Sequence, residues 1–218
     1  MMVSPPSRAC QSDDPVASAR PAIPMQFTDQ EFFDYEVEHG RTPDNPDYLA
    51  LHAATADLIA KYKPRRVLEI GPGMGTILEC LAKKGIYAAG IDSNRFHRDF
   101  FIKRNPALAD RYGLLDHKFE LHRFDFVVSI EVFEHMPDAL IHEYMKPLKP
   151  RTFLFSSTPH KSTPEFDEQW GHINLKQESE WIDLFSEYGY QLKKKLTMPT
   201  HWTLLFKRPT GMFQRLFG

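Results

Sequence analysis

Residues 129–136 read SIEVFEHM, so Glu131, Glu134 and His135 fall within about one helical turn, directly after the apolar run FDFVVS. Two carboxylates and an imidazole at the end of a buried strand support three kinds of chemistry. They can hold a divalent cation, move a proton near neutral pH, or cap the helix that follows. If the chain turns helical after Ile130, the three side chains occupy positions i, i+3 and i+4 and share one face, a geometry that suits metal coordination. A second such stretch, VLEIGPGMGT, sets Gly71, Gly73 and Gly75 immediately after an apolar run. Glycines there allow a tight turn, close approach of a ligand to the backbone and a helix N-terminus facing that ligand. The dinucleotide fingerprint G-x-G-x-x-G asks for its third glycine at position 76, where this chain has Thr76, which argues against a nicotinamide cofactor. Glu69 precedes the loop and Asp92 follows the next apolar run, YAAGI; a carboxylate at that second strand tip suits both hydroxyls of a ribose.

The elements that must position these groups follow from periodicity and punctuation. FTDQEFFDYEVEHG reads as a short helix. NPDYLALHAATADLIAKY reads as a longer one, with Asn45 as N-cap, Pro46 as first residue and an inward face of Leu51, Ala54, Leu58, Ile59 and Tyr62. Pro64 ends it and RVLEI leads as a buried strand into the glycine loop. The next helix carries Ile77, Leu78 and Leu81 to Gly85, YAAGI is the second strand, and RFHRDFFIKR is helical up to Asn105-Pro106. A weak third strand falls around Gly113–Asp116, then the strand FDFVVS. Pro137 opens a helix with Leu140, Ile141, Tyr144 and Met145 inward, and TFLFSS is a further strand. Trp181, Ile182, Phe185 and Tyr188 mark a helix ending at Gly189, and YQLKKKLTM and HWTLLFKR close as an antiparallel pair. This alternation predicts an α/β fold, a Rossmann-like, doubly wound, mostly parallel sheet with a C-terminal antiparallel strand pair and its ligand crevice at the carboxyl ends of the strands.

Composition narrows the function classes. A chain of 218 residues, 42% hydrophobic, can bury one substantial core. A net charge of −2 lacks the basic excess of a protein that binds nucleic acid through phosphates. Cys10 and Cys80 alone give neither a disulfide framework nor a cysteine zinc site, which fits a reducing cytoplasm. No apolar run approaches the roughly 18 residues of a membrane span, and the N-terminus lacks the apolar centre of a signal peptide. The expected organisation is a disordered tail over 1–24, a helical cap over 25–45, the main domain over 46–208 and a C-terminal tail over 209–218, in which Met212, Phe213, Leu216 and Phe217 recur at helical spacing. Lys193, Lys194 and Lys195 read as a solvated sheet edge. Phe166 and Trp170, in the insertion 157–176, are candidates to cover an aromatic or sugar substrate.

Through VLEIGPGMGT, GIDSN, FDFVVSIEVFEHM and the late strand pair, the chain resembles the class I S-adenosylmethionine-dependent methyltransferases over roughly residues 46–208. The resemblance implies that Glu69, Gly71, Gly73 and Gly75 surround the methionine portion of the cofactor and that Asp92 binds its ribose. It also implies that Ile91 and Ser93 flank the adenine and that Asp116 meets the adenine amino group. Within the family, the E-x-x-E-H arrangement is similar to that of metal-using O-methyltransferases, namely the ubiquinone-biosynthesis enzymes and the small-RNA 3′-terminal 2′-O-methyltransferases. In the latter a downstream histidine completes the site after a strand ending in Ser-Thr-Pro. Here LFSSTPH is followed by WGHINL, so the resemblance makes His172 a fourth ligand beside Glu131, Glu134 and His135, for Mg2+ or Mn2+. Many class I enzymes with E-V-x-E-H use no metal; there the glutamates cap a helix. His135, His172 and Glu131 are the catalytic candidates, either histidine as general base. The expected activity is O-methylation of a small hydroxylated metabolite or glycan. Methylation of an RNA 3′-terminal ribose and a catalytically silent cofactor-binding partner module are the alternatives, and no oligomeric state is implied.

Overall fold

The computed structural model describes residues 27–117, 119–158 and 162–209. The expected N-terminal tail and the Met212–Phe217 spacing lie outside these residues. Helix α1 (Asp29–Glu38) starts on a capping box in which Thr28 and Glu31 bond each other's backbone amides. Helix α2 (Pro46–Ala60) has Asn45 as N-cap and Pro46 in its first turn, as its sequence dictates. Its buried face centres on Thr55, Ala56 and Ile59; Leu51, expected inward, is exposed.

Strands β1 (Arg66–Ile70), β2 (Tyr87–Asp92), β3 (Tyr112–Leu114), β4 (Phe126–Ile130), β5 (Thr152–Ser156), β6 (Gln191–Leu196) and β7 (Thr203–Lys207) form one seven-stranded sheet ordered β3-β2-β1-β4-β5-β7-β6. Pairing is parallel from β3 to β5, whereas β7 lies antiparallel between β5 and β6. This is the expected doubly wound sheet with its antiparallel pair. Helices α3 (Thr76–Lys83), α4 (Arg95–Arg104), α5 (Asp138–Met145) and α7 (Glu178–Glu187) flank it. A helix the sequence reading did not foresee, α6 (Pro164–Trp170), occupies the insertion after β5.

Because strand side chains alternate and both sheet faces are covered, each central strand feeds two cores. Val67, Phe126, Val128 and Leu154 meet Ala56, Ile59 and Leu81 on one side. Leu68, Val127, Phe153 and Phe155 meet Phe133, Trp181 and Phe185 on the other. The Phe185 ring stands 5.0 Å from Phe153 and 4.8 Å from Phe155. Burying each such ring contributes about 1.5–3 kcal/mol and anchors the strand ends that carry the polar groups. Among the described residues no helix is long and apolar enough to cross a membrane.

Candidate active site

The loop after β1 is built from left-handed backbone. Gly71, Gly73 and Gly75 have φ of 68°, 52° and 75°, values that cost any side-chain-bearing residue energy. A Cβ on Gly71 would lie 2.4 Å from Val132 Cγ2, and one on Gly75 would lie 2.2 Å from Phe101 Cδ2. The loop is tied to the sheet by the Gly71 amide donating to Ile91 O at 2.9 Å and the Gly73 amide donating to Asp92 Oδ2 at 3.0 Å. Tyr112 OH donates to Gly73 O at 2.6 Å. Between this loop, the tip of β2 and α1 lies a cleft of about 200 Å³.

Gly71, Gly73, Ile91, Asp92 and Ser93 line this cleft, together with Glu131 and His135. Gly75 and Glu69 do not: Gly75 starts α3 against Phe101, and Glu69 is buried. Burial, with Asp92 adding to it, pushes the Glu69 carboxyl well above the usual range, and Oε2 has no hydrogen-bond partner among the described residues. Asp116 is not brought to the cleft. Strand β3 stops at Leu114, the chain turns, and Asp116 is exposed on a separate pocket with Arg98 and Asp110; Leu115 is the neighbour that reaches the cleft.

The floor of the cleft holds a charge triad absent from the sequence reading. His97, from α4, places Nε2 at 2.5 Å from Glu36 Oε2 of α1 and Nδ1 at 3.7 Å from Asp92 Oδ2. Burial alone would lower the His97 pKa, but the two carboxylates reverse this and push it up to about 10. Burial likewise would raise Asp92; His97 and the amides of Asn94 and Gly73 outweigh it and hold that carboxyl below its ordinary value. Asn94 Nδ2 donates to Asp29 O at 2.7 Å, so two residues just after the β2 tip grip α1. No local motif announces a pair 61 positions apart; the one visible signal was a histidine shortly after Asp92.

Beyond β4 the expected helical turn does not form. Glu131 takes φ 53°, and only a 3-10 turn, Phe133–His135, follows. The shared face of Glu131, Glu134 and His135 is therefore lost, and Glu131 leaves the expected ligand set. Its carboxylate accepts from Ser156 Oγ at 2.6 Å, Thr158 Oγ1 at 2.7 Å and Trp202 Nε1 at 3.3 Å. Glu134 is fully buried and accepts from Ser157 Oγ and the Thr158 amide. Burial, then Glu131, pushes its carboxyl well above the usual range.

Glu134, His135 and His172 nevertheless converge, offering ligand atoms within 4.8 Å of one another. The loop carrying His172 is held by Glu134 O, which accepts the amides of Ile173 and Asn174 at 2.8 and 2.9 Å. His135 Nδ1 lies 3.3 Å from Gly171 O and His172 Nδ1 lies 2.8 Å from Asp167 Oδ1. Both partners accept, so each Nδ1 is the donor in its hydrogen bond. A carbonyl and a carboxylate behind two imidazoles are the supports that metal-binding histidines use. Burial, then His172, lowers the His135 pKa to about 4, so that ring is neutral at physiological pH. The residues present fit a divalent cation.

Glu131, His135 and Arg41 also belong to a second cavity, of about 490 Å³, whose other walls are Thr158, Ser162, Thr163, Phe166, His172 and Trp202. Trp170 faces the first cleft instead. Arg41, Glu36, His97 and Trp202 were not singled out from sequence, because each acts through partners distant in the chain.

A glycine-looped parallel sheet with a carboxylate at the neighbouring strand tip is the frame of a nucleotide-binding α/β protein, and a second cavity shares the wall of its cleft. The methyltransferase domain family matches residues 44–195, and this chain belongs to it as an S-adenosylmethionine-dependent methyltransferase. The ubiquinone biosynthesis O-methyltransferase of Neisseria meningitidis serogroup A is 27% identical over 178 residues, covering 76% of this chain and 68% of the relative. Its namesake from Coxiella burnetii is 31% identical over 109 residues, 46% of each chain. Among solved structures, the mitomycin 7-O-methyltransferase MmcR superposes with a TM-score of 0.58 at 16% identity, over 82% of this chain and 60% of that one. The methyltransferase domain of bacterial CtHen1 gives 0.54 at 18% identity, over 73% and 97%. These structures share the fold.

Proposed function

We propose that the enzyme methylates a hydroxyl of a small diol-bearing metabolite or glycan, with a divalent cation held by Glu134, His135 and His172. The observation that carries the reading is the gathering of these three ligand atoms within 4.8 Å beside the wall shared by two cavities. S-adenosylmethionine supplies an electrophilic methyl group, and a bound cation would lower the pKa of the acceptor hydroxyl. Asp92, held ionised, offers its carboxylate to the ribose, and the glycine loop leaves room for the cofactor against the backbone. The second cavity takes the acceptor, its Phe166 and Trp202 rings offering stacking surface and its threonine and serine hydroxyls offering hydrogen bonds. Two imidazoles with one carboxylate favour Mn2+ over Mg2+. Oxygen as the methylated atom is supported by the ubiquinone-biosynthesis relatives, named as O-methyltransferases. The net charge of −2 speaks against an RNA acceptor, and the likeness to the CtHen1 domain is one of fold.

Calorimetric titration of Mn2+ and Mg2+ into protein saturated with S-adenosylhomocysteine tests the metal. Saturable Mn2+ uptake, tighter than Mg2+ and abolished in Glu134→Gln and His172→Ala, is expected. Full cofactor binding without metal uptake would retire the metal, and methylated nitrogen or carbon in the product would retire the hydroxyl acceptor.

A further inference from the structure

Among the described residues, Arg41 is the sole Lys or Arg lining the two cavities, and it lines both. Its backbone is fixed by the end of α1. Gly40, at φ 67°, donates its amide to Val37 O at 3.0 Å while the Arg41 amide donates to Glu36 O at 2.8 Å, the paired bonds of a left-handed helix cap. Its guanidinium is fixed as well, lying 3.6 Å over the ring of the buried Trp170. Stacking occupies one face of the guanidinium and leaves its in-plane N–H fork for an oxyanion.

No carboxylate pairs with that fork among the described residues, and those nearby are committed elsewhere. Glu36 is bonded to His97, Glu131 to Ser156, Thr158 and Trp202, and Asp167 to Ser162 and His172. Asp29 begins α1, whose ten residues set it roughly 15 Å from the end where Arg41 stands. The result is a rigid, partly buried cation with unused donors at the junction of the two cavities. Among the described residues the other walls of the second cavity offer Glu131, two imidazoles, hydroxyls and aromatic rings, so Arg41 is the one guanidinium or ammonium there that could meet a negative acceptor.

We propose that Arg41 recognises a carboxylate or phosphate on the methyl acceptor, so that the substrates are hydroxylated acids rather than neutral alcohols. This rests on the hydroxyl-methylating reading above for the identity of the reacting group. The methionine carboxylate of the cofactor carries the same chemistry, and the test separates the two.

Catechol and 3,4-dihydroxybenzoate, which differ by one carboxylate, are titrated with Mn2+ present into wild type and Arg41→Met, each saturated with S-adenosylhomocysteine. The expected result is roughly tenfold tighter binding of the acid to wild type and equal affinities in the variant. Equal affinities in wild type, a preference that survives in the variant, or binding of neither probe overturns the proposal. A second arm compares S-adenosylhomocysteine with its decarboxylated homologue. Unchanged affinity for both in Arg41→Met is expected and shows the variant folded; a loss confined to the carboxylated ligand assigns Arg41 to the cofactor and overturns the proposal. Methyl transfer is read in neither arm but in a separate assay for the O-methylated product. Absent O-methyl product with an intact charge preference therefore removes the proposed function and leaves the Arg41 assignment standing.

Discussion

His97 Nε2 lies 2.5 Å from Glu36 Oε2, joining α4 to α1 at the floor of the glycine-loop cleft. The imidazolium thus compensates two buried carboxylates at once, one of them Asp92. Replacing it with a neutral group leaves Glu36 and Asp92 repelling each other across the cleft floor. His97→Gln should weaken S-adenosylhomocysteine roughly tenfold, the range of a lost charge-assisted bond, while kcat at saturating cofactor changes less. Calorimetry with steady-state kinetics checks this; an unchanged dissociation constant would sink it.

The same residue sets a pH dependence of stability. Its pKa rises from an ordinary 6.5 to about 10 on folding, so its contribution is complete below 6.5 and is lost as the pH climbs through 10. His135 has the opposite sign: lowered to about 4, it costs stability as the pH falls from 6.5 toward 4. Wild-type melting temperature should therefore decline on both sides, and His97→Gln should flatten the alkaline limb alone. Melting curves of both proteins over that range decide the matter.

The glycine loop offers a paired comparison. Gly75→Ala meets both a φ of 75° and the Phe101 ring at 2.2 Å, and should cost about 2–4 kcal/mol in urea unfolding. Gly73→Ala meets nothing within 4 Å and should cost only the backbone penalty of about 1–2 kcal/mol. Equal losses would show that the ring contact is relieved by small shifts.

Glu131 and Glu134 should separate in metal titrations. Glu131 is satisfied by Ser156, Thr158 and Trp202 and stands outside the three-residue cluster. Mn2+ affinity should survive Glu131→Gln within roughly threefold and vanish in Glu134→Gln. Equal loss in the two variants would return Glu131 to the ligand set.

Features legible in the sequence were those written locally. Pro46 after Asn45, the strand RVLEI feeding GPGMGT, and Asp92 at the next strand tip all stand where short-range rules put them. The errors arose where long-range contacts decide. Glu131 adopts a left-handed conformation that side-chain-bearing residues rarely take, with its amide bonded to Ser156 O on the neighbouring strand. Asp116 misses the cleft because β3 is three residues long and paired with β2 alone, so its end is poorly set by apolar pattern. Helix α6 follows Thr163-Pro164, a start signal with no apolar stripe behind it to mark a helix. The His97 triad and the Arg41 stack are tertiary, invisible to any window of sequence.

The position of β7 bears on how the chain comes off the ribosome. The last strand among the described residues is an interior one, lying between β5 and β6. Until residues 203–207 emerge, β5 presents an open edge of Thr-Phe-Leu-Phe-Ser, an apolar template of the sort that recruits other chains. Trp202, which borders the second cavity and bonds Glu131, arrives together with that strand. The glycine loop and the tip of β2 are synthesised more than a hundred residues earlier. A nascent chain paused before residue 202 would carry the glycine loop while the second cavity stayed open on one side and the sheet edge remained unpaired. That interval is when the exposed β5 edge is most prone to pair with other chains.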